Sequence, residues 1–292
     1  MKKVFAVFVA LLAVAAQATS KTDNQGNITI QTTKVCRMLV QTWADAYMKE
    51  NPQTHIVVAD TKSDRPSDIV VTTEQSGAGA ASVGRYILLP VTTDDNPVVD
   101  ELQSKQLSQY DLSLLYFEQD PYADEDEEVS ARKRRLIERV TVYSGNRRNS
   151  AAEEFARIFG HKSSDLRGKK IGGDDIYLLS AIERDSTGIT VGNAAYLYNT
   201  DSRLLKNGLV VLPVKLKKEQ RQAVESRNLD QLLKAFEEVE SDILPARDLS
   251  LELNSSTPAA KKFAQWVHTA GQHYNNQAGF LRAAGSHDLA SN

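Results

Sequence analysis

The sequence predicts an α/β fold with mostly parallel sheets, and three observations carry that expectation. Strand-like runs alternate with helix-like runs along nearly the whole chain, the order that lays helices against the faces of parallel sheets. The 292 residues suffice for two domains or one large one. Composition is that of a globular chain, with 41% hydrophobic residues, 35 Lys and Arg against 38 Asp and Glu, and only 15 Gly and 8 Pro. Low-complexity and collagen-like chains are thereby excluded.

Residues 1–18 read as a cleavable export signal. Lys2 and Lys3 form a positive start, Val4 to Ala16 an apolar run, and Ala16-Gln17-Ala18 a small-residue cut. That run is shorter than the ~20 apolar residues a spanning helix needs. The mature chain is therefore expected to begin near Thr19, to be periplasmic, and not to insert into the membrane. Loss of Lys2 and Lys3 leaves 33 basic against 38 acidic residues.

Ile28-Thr29-Ile30 is a short alternating strand. Val35, Leu39, Val40, Trp43, Ala46 and Tyr47 then recur at helical spacing until Asn51-Pro52 ends the helix. Strand patterns follow at His55 to Ala59, Ile69 to Thr72, Arg85 to Val91, Arg139 to Tyr143, Gly188 to Val191, Leu209 to Val214 and Leu249 to Leu253. Helices are expected at Ser108 to Tyr116, Ser150 to Phe159, Asp175 to Arg184, Leu229 to Val239 and Pro258 to Ala270. Ser108 with Asp111 has the form of a capping box, Thr257-Pro258 sets a cap before a first-turn proline, and Gly160 closes the Ser150 helix. The acidic run Asp120 to Glu128, followed by Arg132 to Arg135, reads as a solvated excursion; its acids lack the spaced Asp/Asn-Gly pattern of a calcium loop.

Enzyme chemistry has little support. A single cysteine, Cys36, excludes a disulfide framework and multi-cysteine metal sites. The five histidines contain no H-E-x-x-H pair, and Gly172-Gly173-Asp174-Asp175 lacks a P-loop lysine. No nucleophile stands beside a base in the sequence, so no catalytic residue, metal or cofactor is expected. The near-balanced charge gives no reason to expect nucleic acid. Anion binding is better supported, because a helix start offers unpaired N–H groups and about half a positive charge. Two segments have that form, Thr32 and Thr33 after the first strand and Ser144, Gly145, Asn146 and Arg147 after the Thr141 strand, and Thr72 and Thr73 at the end of the Ile69 strand are a third candidate. Gly145 permits close backbone approach, and an arginine fork holds two oxygens at once. Taken alone, Thr32 and Ser144 are also the residue types of simple helix caps.

Several stretches together resemble the phosphate-binding periplasmic proteins of ABC transporters, within the type II periplasmic solute-binding superfamily. Trp43-Ala44-Asp45-Ala46-Tyr47 with Asn51-Pro52 resembles the first helix and its exit, Ser67-Asp68-Ile69 the strand with a ligand-side Asp, and Asn96-Pro97 the entry into the second lobe. Ser144-Gly145-Asn146-Arg147 resembles the family's Ser-Gly-Thr-Arg loop, and Gly188-Ile189 with Ala195-Tyr196-Leu197-Tyr198 its return to the first lobe. Phe263 to Val267, Gly271-Gln272, Tyr274 and Gly279-Phe280-Leu281 resemble its C-terminal helix and tail. The resemblance implies a two-lobed fold, each lobe a mostly parallel sheet flanked by helices, with residues 26–90 plus 190–292 in one lobe and 91–189 in the other. It further implies a cleft that captures phosphate or a related oxyanion for a membrane permease, with Asp68 as the acceptor carboxylate and no covalent chemistry. The chain departs from the pattern where a Gly/Ser-rich loop is replaced by Asp60 to Pro66 and where Asn146 stands for Thr. Those departures favour an alternative, a protein of the same fold acting as an accessory, sensing or interaction component of an envelope complex.

Overall fold

The alternation of patterns resolves into two mixed five-stranded sheets. The structure, a computed structural model, describes residues 26–60, 63, 66–73, 81–118, 131–145, 150–172 and 176–285. Its strands are β1 (Asn27–Thr32), β2 (His55–Asp60), β3 (Ile69–Thr72), β4 (Ala81–Tyr86), β5 (Leu88–Thr93), β6 (Thr141–Gly145), β7 (Lys169–Ile171), β8 (Gly188–Asn193), β9 (Leu209–Val211) and β10 (Arg247–Leu253). The first sheet has the order β2-β1-β3-β10-β4 and the second β7-β6-β8-β5-β9. Both follow one plan. In the first, β1 is parallel to β2 and β3, and β10 runs antiparallel to β3 and β4. In the second, β6 is parallel to β7 and β8, and β5 runs antiparallel to β8 and β9.

The chain changes sheet at Ile87, the one residue between β4 and β5. The Arg85 to Val91 pattern reads as one strand in the sequence, yet its two halves pair with different neighbours. Periodicity conceals the change because β5 is buried at every position, and Ile87 to Val91 form a continuous apolar run rather than an alternation. β8 lies antiparallel beside β5, and the Ala194 N–H that follows it donates to the Ile87 carbonyl at 3.0 Å.

The helices are α1 (Arg37–Glu50), α2 (Val99–Gln103), α3 (Gln109–Tyr116), α4 (Ala131–Glu138), α5 (Ala151–Ile158), α6 (Ile176–Arg184), α7 (Ala194–Leu197), α8 (Lys218–Glu225), α9 (Leu229–Glu238), α10 (Pro258–His268) and α11 (His273–Gln277). Three expected termini form as the local chemistry requires. At α3 the Ser108 hydroxyl accepts from the Asp111 N–H while the Asp111 carboxylate accepts from the Ser108 N–H. Thr257 caps α10 ahead of Pro258, and Gly160 takes a φ of +74° just beyond α5. The C-terminal tail is locked by Asn275, fully buried, which accepts from the Trp43 indole and donates to the carbonyls of Val83 and Leu281. One amide therefore ties α1, β4 and the tail together. No helix among the described residues is long and apolar enough to cross a membrane.

Candidate functional site

In open α/β sheets, ligands bind beyond the carboxyl ends of the parallel strands, where the chain leaves for a helix. At that end of the first sheet stand Thr32, the last residue of β1, and Thr72, the last of β3. Parallel pairing sets Thr32 opposite Val71, and the Thr33 N–H donates to the Val71 carbonyl at 3.3 Å. The register thus brings Thr32, Thr33, Thr72 and Thr73 together, and all four are buried.

Their hydroxyls are used in three ways. Thr32 Oγ1 donates to the Thr33 carbonyl at 3.3 Å, and Thr33 Oγ1 lies 3.2 Å from Cys36 Sγ. Thr33 precedes the 3₁₀ turn Lys34–Cys36 that opens α1, but its side chain makes no capping bond there. The cap expected of Thr32 does not form either: its hydroxyl donates to the Thr33 carbonyl. Burial pushes the Cys36 thiol up to about 12, against the opposing effect of the Thr33 contact. Cys36 is accordingly a small core residue rather than a nucleophile.

Thr73 Oγ1 reaches further and donates to Glu154 Oε1 at 3.0 Å. Glu154 sits in the first turn of α5, a helix that packs on β6 and β8 of the second sheet. This bond therefore joins the two sheets' halves of the molecule. Glu154 is 0% exposed, the one charged residue fully buried among those described. Its Oε1 also accepts from Arg157 Nη1 at 2.9 Å, whereas Oε2 is buried with no hydrogen-bond partner among the described residues. The Tyr86 hydroxyl, buried and without a well-formed hydrogen bond, faces the same carboxylate. Burial first, and the Glu154 charge second, push that phenol well above its ordinary range.

Ser144 and Gly145 close β6 at the corresponding end of the second sheet, and both are buried. Among the described residues the Ser144 hydroxyl has no hydrogen-bond partner. The cap at the start of α5 is instead Ser150, which accepts from the Glu153 N–H at 3.2 Å, so Ser144 is not the helix cap its position allows. Asn146 and Arg147 lie outside the described residues, as do residues 1–18 and most of the acidic and basic segment 120–135.

Asp68 stands elsewhere. It precedes β3, at the strand's amino end, and its Oδ2 accepts from the Thr29 N–H at 2.8 Å. Its carbonyl accepts from Asn254 and Ser255. The carboxylate thus extends the β1–β3 pairing at its amino end, opposite the end that carries the threonines. The acidic group that does reach them, Glu154, was invisible as a site residue in the sequence because it reads as an ordinary first-turn helix acid. Its burial comes from packing between the sheets, which no local pattern encodes.

Two cavities lie away from this cluster. One of about 400 Å³ is bounded by β9 and α8, with Val211, Pro213, Val224 and Arg221 in its wall, and one of about 640 Å³ is bounded by Thr42, Arg203, Asp230 and His273. Neither contains an expected site residue. Among the described residues no group of three or more His, Cys, Asp or Glu is arranged to hold a metal ion.

No protein-family model matches the chain, and no curated relative matches it. Solved structures do. A phosphate ABC-transporter substrate-binding protein from Clostridium perfringens, solved with bound phosphate, superposes with a TM-score of 0.58 at 12% identity, covering 88% of this chain and 100% of that one. An ABC-type phosphate transport receptor from Vibrio cholerae gives 0.55 at 11%, covering 87% and 99%. The CcmR regulatory domain of Synechocystis PCC6803, in complex with 2-PG, gives 0.52 at 12%, covering 83% and 96%. Identities this low establish the fold alone. The chain has the type II periplasmic-binding-protein fold, a mixed α/β architecture of two five-stranded sheets flanked by helices, which solute-binding and regulatory-domain proteins share.

Proposed function

We propose that the protein is an exported solute-binding protein that captures phosphate or a related oxyanion between two lobes and hands it to a membrane permease. The lobes of this reading are built on the two sheets, and the ligand-side residues are Thr32, Thr33, Thr72, Thr73, Ser144, Gly145, Asn146 and Arg147. The carrying observation is the Thr73–Glu154 contact: a hydroxyl at the ligand end of the first sheet already donates to a carboxylate oxygen brought from the second. A site whose donors engage one oxyanion in a dry setting has the chemistry to engage another. The unpartnered hydroxyl of Ser144 supplies a further donor at the end of β6. Phosphate-binding proteins among the structural neighbours support the same ligand class. No reacting group is needed, so the reading is of a binding protein and not an enzyme. Removal of residues 1–18 on export is part of it.

A second reading is favoured by the same contact. A cleft whose hydroxyls already hold a carboxylate suits a protein of this fold that has exchanged free ligand for a sensing or interaction role in an envelope complex. Titration calorimetry with phosphate, sulfate and molybdate separates the two. Saturable heat with one anion, reduced at least about tenfold in Thr73→Val, supports capture; absence of heat with all three removes it in favour of the second reading.

A further inference from the structure

Glu154 shows three features that an ordinary helix acid lacks. It is buried outright, it crosses from the second sheet's side to a hydroxyl of the first, and it leaves one carboxylate oxygen unmet. A buried carboxylate is costly unless its oxygens are paired, so a buried oxygen without a partner calls for an explanation. Facing it is the Tyr86 hydroxyl, which makes no well-formed hydrogen bond among the described residues and interacts with this carboxylate. The Thr73 hydroxyl, the Tyr86 hydroxyl and the Cys36 thiol, itself beside Thr33, thus surround one negative charge that belongs to the chain.

We propose that the Glu154 carboxylate is an intramolecular occupant of the oxyanion site, held on Thr73 when the cleft is empty and displaced when a free oxyanion enters. This rests on the reading of the threonine cluster as an oxyanion site and adds its regulation. A tetrahedral oxyanion carries more acceptor oxygens than a carboxylate, so it can take the Thr73 donor together with the hydroxyls that Glu154 leaves unmet. Glu154 keeps its bond to Arg157, whose side chain is 39% exposed, as a route toward solvent. Because the competitor is tethered, apparent affinity is reduced by the fraction of molecules in which Glu154 holds the site. Closure without ligand follows from the same bond, since it spans the two halves.

The test compares wild type, Glu154→Ala and Glu154→Gln by thermal melting in acetate and in inorganic phosphate, and by phosphate calorimetry. Glu154→Ala is expected to melt below wild type, to recover with either anion, and to bind phosphate at least about tenfold more tightly, while acetate leaves wild type unmoved. A Glu154→Ala protein whose melting neither anion raises overturns the proposal. If that variant does not fold, Glu154→Gln decides: it keeps the side chain's shape but not its charge, and a phosphate affinity no higher than wild type overturns the proposal. Rescue of Glu154→Ala by acetate with no phosphate binding in wild type upholds Glu154 as occupant and removes free-oxyanion capture. Phosphate binding by wild type that Glu154→Ala does not improve upholds capture and removes the occupant.

Discussion

At the residue scale, two carboxylates and one hydroxyl carry most of the chemistry. Thr73→Val keeps the shape of the side chain but removes the donor to a buried charge, a loss of about 1.5–3 kcal/mol; denaturant unfolding should show it, and Thr73→Ser should restore most of it. Asp185 gives the clearest pH signature. Its carboxylate accepts from the Thr187 hydroxyl at 2.7 Å and from the Tyr143 hydroxyl at 2.7 Å, and these contacts hold it down to about 2. A carboxyl depressed below its ordinary 3.8 adds stability above that value and loses it as pH falls toward the folded value. Partly exposed, it is worth about 1 kcal/mol after solvent screening. Asp185→Asn should cost that much at neutral pH and flatten the acid limb of a stability profile between pH 4 and 2. The residue scale is also where the sequence was hardest to read. Threonines 32, 33, 72 and 73 were legible as a hydroxyl set because strand patterns placed them at strand ends. Asp68 lies at the amino end of β3 and Glu154 beside Thr73, and neither placement was legible, because it depends on which end of a strand a carboxylate occupies and on what packs over it, and neither is local.

At the element scale, the caps and the helix of the Trp43 stretch were legible because each is decided within a few residues. Ser108 with Asp111, Thr257 with Pro258, and Gly160 all form as their chemistry demands. The short β7, α2, α7 and α11 carry too few residues for a periodic signal, and tertiary pairing decides them. The split of the Arg85 to Val91 run at Ile87 is a tertiary event of the same kind. The most demanding element contact is the Asn275 junction, which joins α1, β4 and the tail through the Trp43 indole and the Val83 and Leu281 carbonyls. Asn275→Ala removes these hydrogen bonds from a buried junction, although Val83 O keeps the Gln272 amide, Leu281 O the Arg85 N–H and the Trp43 indole the Gly271 carbonyl; it should lower stability by about 2 kcal/mol, read as a fall in denaturant midpoint with unchanged slope. Anion binding should survive in the folded fraction, since the junction lies away from Thr73.

At the scale of the whole molecule, the chain passes between two sheets of one plan at Ile87 and again after β8, which lies beside β5 in the second sheet, so the two halves are joined by few covalent crossings. Short strand connections of this type absorb rigid-body closure. Because Glu154 already bridges the halves, ligand-free wild type should scatter X-rays as a closed particle, and Glu154→Ala should show a larger radius of gyration that contracts on addition of phosphate. The fold rests on pattern and topology, whereas the ligand rests on a handful of buried hydroxyls, and the central claim is that these hydroxyls bind a free oxyanion. Calorimetric titration of inorganic phosphate into the Glu154→Ala protein tests it most directly. The account predicts saturable one-to-one binding that a further Thr73→Val change weakens at least about tenfold. A folded Glu154→Ala protein that gives no saturable heat, or whose phosphate affinity is indifferent to Thr73, contradicts it.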